Sequence, residues 1–129
     1  MIVVDSSVWI DFFNGVDNAT SGRLDQMLGT QPILVGDLIL TEVLQGFRQD
    51  TDYGAARQAM SVFPMESMVG PARAVRAADN YRLLRSRGVT VRKTIDMLIG
   101  TFCLNESHKL LFSDRDFEPL VDHLGLQRA

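Results

Sequence analysis

Apolar residues fall along this chain in two kinds of run. Ile2-Val3-Val4, Pro32-Ile33-Leu34-Val35 and Lys109-Leu110-Leu111-Phe112 are short, almost wholly aliphatic or β-branched, and bounded by polar turn formers. A strand covered on both faces has no polar side to show, so these runs predict buried strands. Phe63-Pro64-Met65 predicts a further short strand, Val89-Thr90-Val91 an extended piece, and Leu124-Gly125-Leu126 a last edge strand.

Between the runs the apolar spacing lengthens. Leu38, Leu40, Val43, Leu44 and Phe47 follow Asp37 at close to a 3.6-residue period, and Ile95, Leu98, Ile99, Phe102 and Cys103 follow Thr94 in the same way. Further helices are predicted from Ser6 or Ser7 to about Phe13, from Ala19 to Leu28, and from Thr51 to Val62. Gly70-Pro71 opens the longest, which runs through about Arg87 and is closed by Gly88. Ser6 or Ser7, Asp37 and Thr94 are the expected N-caps. A short helix or turn follows from Arg115. Short strands alternating with helices imply an α/β fold with a mostly parallel sheet and right-handed crossovers, built as one domain over residues 1–129.

Composition adds exclusions. With 46% hydrophobic and 22% charged residues the chain reads as an ordinary globule. No apolar run approaches the roughly 20 residues of a membrane span, and the opening MIVVDSS lacks the charged start and cleavage site of a signal peptide. The expectation is a cytoplasmic protein with no membrane contact. The single cysteine, Cys103, sits on an apolar helix face and reads as core packing. His108 and His123 lie far apart with no other soft ligand near, which argues against zinc. A net charge of −3 excludes a protein coated in basic charge, but not a local basic face.

The carboxylates carry the candidate chemistry. In an open α/β sheet the working site lies beyond the carboxyl ends of the strands. Asp5 follows the first strand directly, and Asp114 and Asp116 follow the strand ending at Phe112. Glu42 lies early in the helix after the second strand, and Asp96 in the first turn of the helix opened by Thr94, where the helix dipole and free amides favour a carboxylate. Taken singly, each is as readily a cap, a turn former or a surface acid. Taken together, four or five acids at strand ends and helix starts would repel one another unless neutralised. A hard divalent cation with oxygen ligands resolves the repulsion, and Mg²⁺ or Mn²⁺ fits best.

The segments VVDSSVWI, LTEVLQG, TIDMLIG and LLFSDRDF, in that order and spacing, resemble the PIN-domain ribonucleases, and among them the VapC-type toxins of toxin–antitoxin pairs. The resemblance runs from Ile2 to Phe117. It implies a three-layer α/β/α domain with a sheet of four to five strands. It implies a Mg²⁺- or Mn²⁺-dependent endoribonuclease that is held in check by a cognate antitoxin protein and forms a homodimer. Matched position by position, Asp5 is the first acid, Glu42 the second and Asp96 the third, while Asp114 or Asp116 or both serve as the fourth. Ser7 falls where the family places a small polar residue that orients the first acid or a water.

The chemistry expected from such a site is hydrolysis of an RNA phosphodiester by cation-activated water, leaving a 5′-phosphate and a 3′-hydroxyl. Asp5, Asp96 and one acid of SDRDF would hold the cation, with Glu42 acting through water or a second ion. RNA must still be attracted. Arg73, Arg76, Arg82, Arg85, Arg87, Arg92 and Lys93 cluster with only Asp79 among them, on more than one helix face. Arg92 and Lys93 immediately precede the Asp96 helix and are the expected phosphate contacts. Trp9, Phe12 and Phe13 could stack on bases, though helical spacing favours core or partner-facing roles. Leu38 to Phe47 and Trp9 to Phe13 are candidates for an antitoxin groove. A phospho-receiver would want an acidic pair after the first strand, and a haloacid-dehalogenase phosphatase a second Asp at position 7; Ser6-Ser7 meets neither demand. The remaining rival is a non-catalytic PIN-like module that binds RNA or antitoxin.

Overall fold

A computed structural model describes all residues, 1–129. Its elements are β1 (Ile2–Val4), α1 (Ser6–Phe13), α2 (Ala19–Met27), β2 (Ile33–Gly36), α3 (Asp37–Gln45), α4 (Asp50–Met60), β3 (Met65–Glu66), α5 (Pro71–Ser86), α6 (Thr94–Asn105), β4 (Lys109–Leu111), a 3-10 turn (Arg115–Phe117) and α7 (Glu118–Leu124). The sheet order is β3-β2-β1-β4, and every pairing is parallel. Helices flank this sheet in a three-layer α/β/α arrangement, as the alternation of short apolar runs and helical periods requires.

The β1, β2 and β4 runs are aliphatic because they lie between helix layers: Val3, Val4, Leu34, Val35, Leu110 and Leu111 are all buried. Trp9, Phe102, Phe112 and Phe117 fill the space between sheet and helices. Trp9 stacks on Phe13 at 5.8 Å and also meets Phe12 and Phe63, so it is a core residue and cannot stack on bases. Cys103 is buried and free, and burial pushes its thiol up to about 12. It is packing, as its apolar neighbours implied. Gly100 allows α6 to approach α7, since a Cβ there would run into the Leu120 side chain. No helix is long and apolar enough to cross a membrane.

Several local expectations change. Asp5 itself stands at the N-cap of α1, with Ser6 and Ser7 already helical, yet its side chain makes no capping hydrogen bond. Asp37 and Thr94 are likewise the first helical residues of α3 and α6, behind Gly36 and Lys93. The Asp37 carboxylate instead accepts from the amides of Leu38 (2.9 Å) and Met68 (3.0 Å), tying α3 to the segment after β3. The expected edge strand at Leu124–Leu126 is not formed. Pro119 helps start α7, which runs to Leu124, and Gly125 ends it in the left-handed conformation. The edge contact falls later, as a lone parallel bridge between Leu110 and Arg128. Residues 89–91 form no strand, although Val91 is buried.

Strand order positions the site. From β1 the chain passes to β2 and then β3 on one side, and returns to lay β4 on the other side of β1. The order therefore reverses between β1 and β4, which is where a crevice opens in a parallel sheet. The Asp5 amide donates to the Leu111 carbonyl at 2.9 Å, so the two strands end side by side.

Candidate metal centre

Asp5 emerges from β1 at 4% exposure and Asp96 from the first turn of α6 at 5%. Asp114 and Asp116 belong to the turn after β4, where the Asp114 carboxylate accepts from the Asp116 amide at 2.9 Å and so shapes the loop. Asp96, Asp114 and Asp116 each present one carboxylate oxygen, and these oxygens lie within 4.8 Å of one another. Glu42, half-buried on α3, faces the same region, as the influence of the Asp5 charge upon it shows. Residues far apart in sequence thus meet at the β1/β4 switch point.

Asp5 does not belong to the converging trio. Its Oδ2 accepts from the Ser7 hydroxyl at 2.8 Å, and Ser7 Oγ lies 3.3 Å from Ser113 Oγ. This Ser113–Ser7–Asp5 chain fixes the orientation of the first acid. Ser7 was legible as a companion of Asp5; Ser113 was missed. Its signal was its place at the carboxyl end of the Leu110–Phe112 run, the position Asp5 holds after β1.

The electrostatics are those of a crowded anionic pocket. Burial, then the Asp5 charge, raises the Asp96 carboxyl to about 7. Burial thus disfavours the charged form of Asp96, although its place in the first turn of α6 is one that favours a carboxylate. Burial is also the main cause of the raised values of Asp5 and Glu42, with Asp114 adding to the first and Asp5 to the second. Asp114 moves the other way, held low by the Asp116 amide and by Lys93.

Three buried oxygens have no hydrogen-bond partner: Asp96 Oδ2, Asp116 Oδ2 and Glu42 Oε1. Buried polar atoms are normally paired, so orphan oxygens on acids whose charges act on one another are open to a cation that accepts oxygen donors. An all-carboxylate donor set fits a hard divalent cation and excludes a soft one. Asp96, Asp114 and Asp116, whose carboxylate oxygens converge, are residues that could hold one.

Arg92 and Lys93 stand at the rim, as their place before α6 implied, but both face acids. Lys93 Nζ is 3.2 Å from Asp114 Oδ2, and Arg92 Nη2 is 3.6 Å from Asp116 Oδ1. The hydrogen bond and charge of Asp114 raise the Lys93 value. Other members of the basic cluster are engaged structurally. Arg73 pairs with Glu106 at 2.7 Å, donates to the Met68 carbonyl and lies over the Phe102 ring. Arg85 covers Tyr81, and Arg87 reaches the His123 carbonyl.

Comparison with known proteins bears on the family and the fold. The PIN domain family model matches residues 2–121. A VapC ribonuclease of Mycobacterium bovis, Mb1587, is 24% identical over 131 aligned positions, covering 100% of this chain and 98% of the relative. Ribonuclease VapC11 of Mycobacterium tuberculosis matches at the same identity and coverage. Among solved structures, VapBC2 of Rickettsia felis, bound to a DNA fragment from its promoter, shares the fold. Its TM-score is 0.75 at 15% identity, covering 100% of this chain and 98% of that one. VapC20 of M. tuberculosis, a sarcin–ricin-loop-cleaving toxin, aligns with a TM-score of 0.66 at 17% identity, covering 92% and 93%.

Proposed function

This chain belongs to the PIN-domain family, and from that premise we propose that it is a divalent-cation-dependent endoribonuclease, the toxin of a toxin–antitoxin pair. The observation that carries the reading is the meeting of Asp96, Asp114 and Asp116 at the strand switch point, with Asp96 Oδ2 buried and unpartnered. The similarity to VapC ribonucleases over the whole chain supports the choice of RNA as substrate.

In this proposal Asp96, Asp114 and Asp116 would hold Mg²⁺ or Mn²⁺, and Asp5, whose charge acts on Asp96, would add to the negative field of the site. A bound divalent cation supplies acidity to the attacking water and offsets charge on the reacting phosphate. Glu42, whose buried Oε1 has no partner, would accept the proton that this water releases. The water oxygen would bond to phosphorus as the bond to the 3′ oxygen breaks, the departing 3′ oxygen would take up a proton from solvent, and the products would be a 5′-phosphate and a 3′-hydroxyl. Ser7 orients the Asp5 carboxylate, and Ser113 steadies Ser7.

An antitoxin partner is supported by the toxin–antitoxin complex among the structural neighbours. The half-buried Phe12 and Phe13 of α1 and Leu38 and Leu40 of α3 supply apolar surface for it. Exposed Val75 and Leu83 on α5 are surface that a homodimer would cover.

Purified protein freed of antitoxin should cleave RNA with Mg²⁺ or Mn²⁺ and lose that activity in EDTA, read by gel and by sequencing the cut ends. Cation-dependent binding without cleavage would favour the non-catalytic module instead. Ser7→Ala should reduce cleavage about 10- to 100-fold, the range for a residue that orients a ligand. The Ser7 hydroxyl lowers the Asp5 value, so its loss should move the acid limb of the pH–rate profile to higher pH. Ser7→Thr should restore both; an unmoved limb would remove Ser7 from the mechanism.

A further inference from the structure

Two of the three converging acids are already held by the chain's own cations. The Lys93 ammonium sits on Asp114 and the Arg92 guanidinium faces Asp116. We propose that Lys93 is a built-in counter-ion that competes with the divalent cation for Asp114 and, once displaced, turns to the RNA phosphates. Cation loading and substrate binding are thereby coupled through one side chain. The inference rests on the cation-dependent reading above.

The oxygens decide which residue competes. Asp114 Oδ1 already accepts from the Asp116 amide at 2.9 Å, which leaves Oδ2 the oxygen freer of backbone contacts for a cation, and it is the one Lys93 holds. An ammonium and a divalent ion repel one another across a single carboxylate oxygen, so one must leave. Lys93 can leave cheaply. Its side chain is 57% exposed on a flexible stem, and exposed pairs of this kind are weak. Arg92, 82% exposed at 3.6 Å from Asp116 and making no hydrogen bond to it, is a looser holder. Asp96 Oδ2 and Asp116 Oδ2 have no hydrogen-bond partner, so oxygens of the trio stay open to the incoming ion. A released Lys93 stands at the rim where an RNA strand must pass to bring a phosphate to the acids.

The test begins with calorimetric titration of Mn²⁺ into the RNA-free protein. Lys93→Gln, which keeps length and removes charge, should bind Mn²⁺ about threefold more tightly than wild type. The difference should shrink as salt is raised. Lys93→Arg should behave like wild type. At saturating Mn²⁺, Lys93→Gln should raise KM for RNA about threefold, a larger change than in kcat. Equal or weaker Mn²⁺ binding by Lys93→Gln overturns the competition, and tighter binding with an unaltered KM overturns the coupling to RNA. Wild type that takes up no Mn²⁺ would instead sink the cation-dependent reading itself, so the two failures are distinguishable.

Discussion

Asp96→Asn is expected to abolish RNA cleavage and, in the same variant, to make the cation-free protein more stable. The first effect follows from the site: Asp96 is the one buried residue of the converging trio, and its Oδ2 has no hydrogen-bond partner. Residues that only orient metal ligands already cost about 10- to 100-fold when removed, so loss of a ligand should cost at least about a hundredfold in kcat/KM. The second effect follows from burial. At pH 8 the wild-type carboxylate is ionised, desolvated and close to Asp5 and Asp114, and its carboxyl is raised to about 7. An amide of the same shape removes that charge. It must still bury polar atoms, so only part of the electrostatic cost is recovered, about 2 kcal/mol, or roughly 8 °C in Tm for a domain of this size. A structural acid would show the reverse: cleavage retained and Tm lowered. Either result on its own would contradict the role assigned to Asp96.

The cation-free protein should also lose stability as pH rises through neutrality, and Mn²⁺ should cancel the loss. The Asp96 carboxyl moves from an ordinary 3.8 to about 7 on folding. The folded state therefore holds the proton more tightly than the unfolded chain. Its contribution to stability is fully present below about pH 4 and is lost as pH climbs through about 7. A shift of that size corresponds to about 4 kcal/mol between those limits. Asp5 and Glu42, also raised, act with the same sign. Asp114, lowered, acts with the opposite sign, but its stability is lost only as pH falls below the usual carboxylate range, outside this window. Urea melts in EDTA from pH 5 to 8.5 should show a falling midpoint. Melts with Mn²⁺ at a hundred times its Kd should gain about 2.7 kcal/mol near pH 8. A flat profile in EDTA, or a profile that Mn²⁺ leaves unchanged, would mean that these acids are not the neutralised cluster described here.

Much of this was legible in the residues because the relevant signals are local. Ile2–Val4, Ile33–Val35 and Leu110–Leu111 announce strands covered on both sides, since no polar residue interrupts them. The Gly70-Pro71 start of α5 is written in backbone chemistry that any context would respect. The misreadings are local too. Ser6, Asp37 and Thr94 were good cap residues one position too late, because the capping position is set by where the preceding strand or turn delivers the chain. Leu124-Gly125-Leu126 looked like a strand end, but Gly125 there serves to stop α7.

The candidate site divides along the same line. The sequence alone determined which acids stand at strand ends and helix starts, because strand and helix boundaries are short-range properties of the chain. The tertiary structure alone decided that carboxylate oxygens of Asp96, Asp114 and Asp116 converge and that Ser113 comes up to Ser7. It also decided that burial raises the Asp96 carboxyl, and that Lys93 and Arg92 rest on acids. Those outcomes depend on β4 lying beside β1 across more than a hundred residues of chain, and on which oxygens water can reach once it does. Charge and burial act through space, so only the folded arrangement could set them.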